Sequence, residues 1–423
     1  MDRENYKYKK NCRVCSGDLE DVISLESQFL SPTFVKSNIN NKLSEIKIPL
    51  TMCICKNKEC SLVQLRETTD PNLLYTDYFY RSSTNPMMLD DLKRVVEKSQ
   101  DFVGLKKDDI VVDIGANDCS MISFFPKNTQ RIGVEPASNI DWSGVDKDIT
   151  IINDFFPSKK FKNYMGEKKA SIFTSCAMFY DLDDPNSFVK SIKENLDDDG
   201  VWCVQLSYVL LMIKNLNFYD ICHEHLEYYS LHSLQFLMDK NGLDIVHAET
   251  NHVNGGSALV FIKHKRSNNT KTKELNQLIS LEKEMNLSSA KVYKEFFLEM
   301  KKLSSTVTNF IKNENNNKKL VIGLGASTKG NVLLQFFGIT KVMLPYISEK
   351  QEMKVGLKTL GSDIELISEA RARSLNPSCM LMLPWYFKKE ILAREKEYLD
   401  NGGSILVPMP YAHIVNKHGE IKL

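Results

Sequence analysis

The spacing of apolar and polar residues changes rhythm several times along this chain, and each change marks an element. In MLDDLKRVVEKSQDFVGL (88–105) apolar side chains recur every three or four positions, which predicts an amphipathic helix. Short β-branched runs then alternate with helical stretches: DDIVVDIGANDCSMISFFP, QRIGVEPAS, ASIFTSCAMFYDLDDPNSFVKSIKENL and DGVWCVQLS. That alternation predicts a parallel sheet with crossover helices. A long charged helical stretch follows, from about TKTKELNQL to IKNENNNKK. After it the pattern starts afresh with LVIGLGASTKGNVLLQFFGI and the strand-like MLPYISE, CMLMLPW and SILVPMP, a second α/β unit.

A length of 423 residues predicts two or three domains. With 42% apolar and 26% charged residues the composition is that of a globular protein, and the 55 basic and 54 acidic side chains leave a net charge of +1. Bulk charge therefore gives no support for a nucleic-acid partner. No run of 18 or more apolar residues occurs, and MDRENYKYKKN lacks an apolar signal core, so the chain reads as cytoplasmic with no membrane partner. It is expected to be a monomer or a weak oligomer.

Five of the ten cysteines fall in the first sixty residues. Cys12-Arg-Val-Cys15 and Cys55-Lys-Asn-Lys-Glu-Cys60 form two pairs that can each present two thiolates from a turn, the arrangement of a structural tetrahedral zinc site. Cys53 competes with Cys55, but C-x-C is too tight for the usual turn. The bland alternative is a set of buried thiols.

Further on, Asp113-Ile114-Gly115-Ala116-Asn117 follows the first apolar strand, and Glu135 closes the next. A glycine turn lets a ligand approach the backbone, and an acid at the second strand end can bind a ribose diol. The second and third glycines that a dinucleotide pyrophosphate needs are missing here. That favours S-adenosylmethionine over a nicotinamide cofactor, with a structural turn as the third reading. In the second α/β unit Gly323, Gly325 and Gly330 approximate a dinucleotide turn but miss its spacing, so tight backbone packing explains them at least as well.

The stretch YDICHEHLEYYSL places His223, Glu224 and His225 together. On a helix, histidines at i and i+2 point roughly 200° apart, so they cannot share one metal as the H-E-x-x-H of zinc proteases does. One ring can work while the other packs.

Taken in order, CRVC, the LVQL after Cys60, VDIGAND, MFYDLDDPNSFV, HEHLEYYSL, NHVNGGS and GLGASTKGN resemble the nucleotide-sugar C-methyltransferases of deoxysugar pathways. The resemblance implies an α/β chain with a zinc-binding domain over 1–70, a class I, S-adenosylmethionine-dependent methyltransferase domain over 71–265, a helical linker over 266–315 and a Rossmann-like domain over 316–423. It implies methyl transfer from S-adenosylmethionine to a ring carbon, carbon 3 being the commonest target, of a nucleotide-diphosphate 4-keto-6-deoxy sugar. His225 would be the general base, Glu224 and His223 would orient it or hold the sugar, and Tyr80 (or its rival Tyr78) would reach the sugar. Asp113, Gly115, Asn117, Glu135 and, more remotely, Asp154 would hold the methyl donor. Tyr228 and Tyr229 would pack or line the wall. Other readings are an enzyme that also reduces the ketone with NAD(P)H, and a non-catalytic zinc- and donor-binding protein. Two positions depart from the pattern. Cys222 stands where relatives commonly carry tyrosine, and Cys119 where they favour glycine. At Cys119 the expectations are crowding of the cofactor turn or a negative φ that tolerates a small side chain.

Overall fold

The computed structural model describes residues 5–36, 45–75, 81–84 and 86–423. Its central sheet has seven strands, in chain order Ile110–Ile114, Gln130–Val134, Ile149–Ile152, Ala170–Cys176, Leu196–Ser207, Leu243–Asn251 and Ser257–His264. In space they run third, second, first, fourth, fifth, seventh, sixth; the first five are parallel, and the seventh is antiparallel to both its neighbours. This is the strand order of class I methyltransferases. IVVDI is buried at every position, as expected for a strand covered on both faces by crossover helices. The helix Pro86–Phe102 covers one face, burying Met88, Leu92, Val95, Val96 and Ser99 at helical spacing.

The N-terminal lobe is an antiparallel sheet of Leu19–Phe29, Lys47–Cys55 and Val63–Leu65. Its fourth strand, Glu227–Tyr228, comes from the end of the HEH turn, so this lobe and the methyltransferase unit share a sheet beside the three acidic and basic residues of interest. Further bonds reinforce the joint: Asn186 Nδ2 donates to the carbonyls of Arg13 (2.9 Å) and Val14 (3.2 Å), and Lys240 Nζ donates to that of Val14 (2.7 Å).

The C-terminal sheet has five parallel strands, in spatial order Ser404–Val407, Cys379–Met382, Val321–Leu324, Tyr346–Glu349 and Glu365–Ser368. Antiparallel strands flank both sides, and the outermost on one side is Phe34–Lys36, contributed by the N-terminal lobe and paired with Leu357–Thr359. Gln335 holds the same crossing in place, accepting from Phe29 N (2.8 Å) and donating to its carbonyl (3.2 Å).

The stretch between the α/β units forms helices Lys273–Glu284 and Ala290–Asn316. The longer buries Tyr293, Phe296, Met300, Leu303, Val307 and Ile311 on one stripe, packed against strands of the N-terminal and C-terminal sheets. One continuous apolar core consequently runs through all three parts of the chain. Among the described residues no helix is long and apolar enough to cross a membrane.

Candidate active site and metal centre

The sulfurs of Cys12, Cys15, Cys55 and Cys60 all lie within 4.8 Å of one another. Cys12 and Cys60 are 3.7 Å apart, and Cys15 and Cys55 are 3.4 Å apart. Four thiolates around zinc with bonds near 2.3 Å would sit roughly 3.8 Å from each other, so the cluster fits the ion. Gly17 is dictated by this geometry, since a Cβ there would lie 3.2 Å from the sulfurs of both Cys15 and Cys55. Cys53 points elsewhere: its thiol donates to the Gln64 carbonyl at 3.3 Å, and burial pushes its pKa up to about 12. It is a core thiol.

At the end of the first central strand, Gly115 turns the chain with φ 75°, and a Cβ there would meet Met178 Cγ at 3.0 Å. Glu135, at the end of the second strand, binds that turn from behind. Its Oε2 accepts the N–H of Asn117 and its Oε1 that of Ala137, both at 2.8 Å. Burial nevertheless raises its pKa above the ordinary carboxylate value. Asp113 is buried as well and accepts from the Thr174 hydroxyl at 2.8 Å; desolvation lifts its pKa to about 7. Asn117 Oδ1 accepts from Ser82 N at 3.1 Å. Asp154 lies just past the third strand, with Oδ1 accepting from Phe155 N. These five residues thus surround the C-terminal ends of the first three strands, the position at which open α/β sheets take ligands.

Cys119 differs from expectation. Its φ is 64°, the left-handed region, and its sulfur is fully buried near Gly133 of the second strand. The thiol therefore points into the core behind the turn, and the strain is borne by the backbone.

The second α/β unit repeats the carboxylate device. Glu349 Oε2 accepts from Ala326 N (2.9 Å) and Oε1 from Gln351 N (2.7 Å). Its glycines are explained by packing: a Cβ on Gly323, Gly325 or Gly330 would come within 2.7 to 2.9 Å of Ile347, Pro384 or Leu383 respectively. Pro384 occupies the space in front of Gly325.

His223, Glu224 and His225 form a turn between the short 3-10 helix Phe218–Asp220 and the strand Glu227–Tyr228. His225 Nδ1 lies 3.0 Å from the Asp220 carbonyl. A carbonyl only accepts, so Nδ1 carries the proton and Nε2 keeps its lone pair. Its ring meets Tyr180 edge-on at 4.4 Å between centroids, and Leu226 N donates to the Tyr180 carbonyl. Burial, assisted by the Lys329 charge, lowers the His225 pKa to about 3, so the imidazole is neutral near pH 7. Met178 at the glycine turn and Tyr180 against His225 stand two residues apart after the fourth strand, which brings that turn and His225 to one end of the sheet.

Glu224 is buried too; among the described residues its Oε2 makes no hydrogen bond, and desolvation raises its pKa. His223 does not accompany them. It is 1% exposed, its Nε2 is 3.2 Å from the Ile48 carbonyl in the N-terminal lobe, and burial lowers its pKa to about 4. Its expected part was to orient His225 or hold the sugar; the ring lies buried at the lobe interface, and its Nδ1 makes no hydrogen bond among the described residues. Tyr228 is also part of the frame, its hydroxyl donating to the Asp220 carbonyl at 3.2 Å, and Tyr229 is fully buried. Cys222 is buried, and its thiol pKa is raised by desolvation. Tyr80 and Tyr78 lie outside the described residues.

Three residues that sequence patterns did not single out organise this turn. Asp220 supplies the carbonyl that fixes His225. Lys329, from the C-terminal unit, places Nζ 2.5 Å from Asp220 Oδ1. Arg13, between the first two zinc-type cysteines, has Nε 3.6 Å from Glu227 Oε1 and donates Nη2 to Thr68 Oγ1 at 2.8 Å. Only Asp220 lay near the motif; the other two are brought in by the fold.

Three family models match in succession. One described as "Putative zinc binding domain" covers residues 12–75, "Methyltransferase domain" covers 84–248, and "C-methyltransferase C-terminal domain" covers 252–410. The C-methyltransferase NovU of Streptomyces niveus is 27% identical over 413 residues, 96% of each chain. Among solved structures, the CcbJ methyltransferase of Streptomyces caelestis aligns at TM-score 0.34 and 12% identity, over 45% of this chain and 95% of its own. An S-adenosylmethionine-dependent methyltransferase of Clostridium acetobutylicum aligns at 0.33 and 9%, over 42% and 92%.

Proposed function

We propose that this S-adenosylmethionine-dependent C-methyltransferase with an N-terminal zinc-binding domain methylates carbon 3 of a nucleotide-linked 4-keto-6-deoxy sugar, with His225 as the base. The observation that carries the reading is the protonation geometry of His225: Nδ1–H is bound to the Asp220 carbonyl, and Nε2 remains a lone-pair acceptor. The choice of a nucleotide sugar rests on the likeness of HEHLEYYSL and its companion motifs to sugar C-methyltransferases.

Carbon–hydrogen bonds next to a ketone are too weakly acidic for water to break at neutral pH. A positioned base and a polar environment for the enolate oxygen are both required. His225 Nε2 takes the proton from the ring carbon. Glu224, whose buried Oε2 makes no hydrogen bond among the described residues, accepts from a sugar hydroxyl and fixes the ring's orientation. Asp113 and Gly115 hold the methionine part of the donor, Asn117 shapes the turn, Glu135 takes the ribose hydroxyls and Asp154 the adenine side. When bound, S-adenosylmethionine supplies an electrophilic methyl carbon on a positively charged sulfur. Cys12, Cys15, Cys55 and Cys60 would hold zinc, whose part is to stiffen the lobe that the HEH turn joins.

The test is transfer from 13C-methyl donor to a thymidine-diphosphate 4-keto-6-deoxyhexose, with NMR assigning the new methyl to carbon. Incorporation on carbon 3 is expected. A methyl on oxygen or nitrogen, or none with keto sugars on any nucleoside diphosphate, would overturn the reading.

A further inference from the structure

Lys329 is the second residue of helix Thr328–Phe336, whose N-terminus is capped by Ser327 accepting from Gly330 N. Its chain reaches out of the C-terminal unit into the methyltransferase unit. The ammonium stands 2.5 Å from Asp220 Oδ1, above the rings of Tyr219 (5.4 Å) and Tyr386 (5.6 Å). Asp220 is 2% exposed and ends the 3-10 turn. While Lys329 grips its carboxylate, the backbone carbonyl of the same residue takes His225 Nδ1 at 3.0 Å, the Tyr228 hydroxyl at 3.2 Å and Cys222 N at 3.0 Å. Side chain and carbonyl of one residue thus face two different tasks, and rotation of Asp220 would disturb both.

We infer that Lys329 is a positioning residue for His225, acting across the domain boundary through Asp220. The inference rests on the reading of His225 as base. A buried carboxylate left without its cation relaxes toward water or a proton, and the turn that carries it moves with it. With Lys329 present, Asp220 cannot turn away, its carbonyl stays aimed at Nδ1, and Nε2 remains the basic nitrogen. The C-terminal unit is then a component of the catalytic device rather than an appendage.

Among the described residues, the groups facing this pair include Tyr219, Tyr386, Cys222, Glu224 and His225. Burial works against charge on Lys329, but the contact with Asp220 outweighs it and raises the ammonium above the ordinary lysine value. The resulting positive charge favours the neutral form of His225, in keeping with the geometry.

The experiment uses the full-length protein with 15N-labelled histidine, as wild type, Lys329→Met and Lys329→Arg. In wild type at neutral pH, His225 should show the Nδ1–H tautomer. In Lys329→Met the two tautomers should mix, the acid limb of kcat should move up toward the ordinary histidine pKa, and kcat should fall about tenfold with KM for the donor unchanged. Lys329→Arg should restore most of each. If Lys329→Met does not fold, Asp220→Asn, which keeps the carbonyl and removes the carboxylate charge, is measured instead: the tautomers should mix and kcat should fall as in Lys329→Met, while the acid limb stays low because the Lys329 cation remains. An unchanged His225 tautomer and acid limb in the folded variant would overturn the inference while leaving keto-sugar methylation intact. A tautomer that changes in a protein inactive on every keto sugar would sink the substrate reading and sustain the pairing.

Discussion

Glu135 receives the backbone N–H of Asn117 at 2.8 Å, so the acid expected to bind a ribose also builds the turn against which the donor would lie. Each oxygen uses one lone pair on the backbone and keeps another for a ligand.

Replacing Glu135 should therefore cost affinity twice over. Glu135→Ala is expected to weaken S-adenosylhomocysteine binding by about 2 kcal/mol, the usual loss when a charged hydrogen-bond partner is removed. Isothermal titration calorimetry reads this directly. An affinity equal to wild type would remove Glu135 from the donor site.

The metal prediction turns on which cysteines point inward. Zinc should be found at about one ion per chain, given a four-thiolate site. Cys15→Ser should lose the ion and much of the soluble yield, whereas Cys53→Ser should keep it, because the Cys53 sulfur is directed at the Gln64 carbonyl. Metal analysis of the purified variants decides it; zinc missing from Cys53→Ser and present in Cys55→Ser would reverse the ligand choice.

His225→Ala should fold, bind donor and sugar, and lose at least ~100-fold in turnover, the low end for a general base. Exchange of the sugar's α-proton with deuterated solvent isolates the step. Exchange at the wild-type rate in this variant would mean that another group removes the proton.

Acid should loosen the lobe interface through His223. Its folded pKa is about 4 against the ordinary 6.5, so between those values the unfolded chain binds a proton that the native one refuses. That contribution to stability is whole above pH 6.5 and is lost as pH falls, by up to about 1.4 kcal/mol per unit. The raised pKa values of Glu224 and Glu227 act in the opposite sense, their contribution being lost as pH rises. Comparing urea unfolding of wild type with His223→Asn separates the imidazole from these carboxyls. The variant should have the flatter acid slope; parallel curves would refute the assignment.

How much of this the sequence disclosed depends on the range of each interaction. IVVDI announces a buried parallel strand because its positions are apolar and β-branched apart from the Asp before the turn, and the four cysteines announce their site by spacing. The HEH stretch was visible as chemistry, and so was the idea that one ring packs, but the burial of His223 against another lobe was not. That burial depends on Ile48, in a strand of the N-terminal lobe. Lys329 sits inside a glycine-rich motif that reads as a nucleotide turn, and nothing local says that its ammonium leaves its own unit for Asp220. Cys119 shows the reverse limit, since a side chain cannot report the sign of its own φ.

The strand Phe34–Lys36 carries a last consequence, which concerns how the chain is made. Val35 pairs with Lys358, so a ribosome adds more than three hundred residues between the two partners. During that interval the beginning of the protein has no sheet to join, whereas the lobe's own strands and cysteines can already assemble. Completion of the N-terminal lobe is thus tied to the emergence of the C-terminal one. A chain interrupted before residue 357 lacks the partner strand Leu357–Thr359, and Phe34–Lys36 at its own beginning is left unpaired on that side.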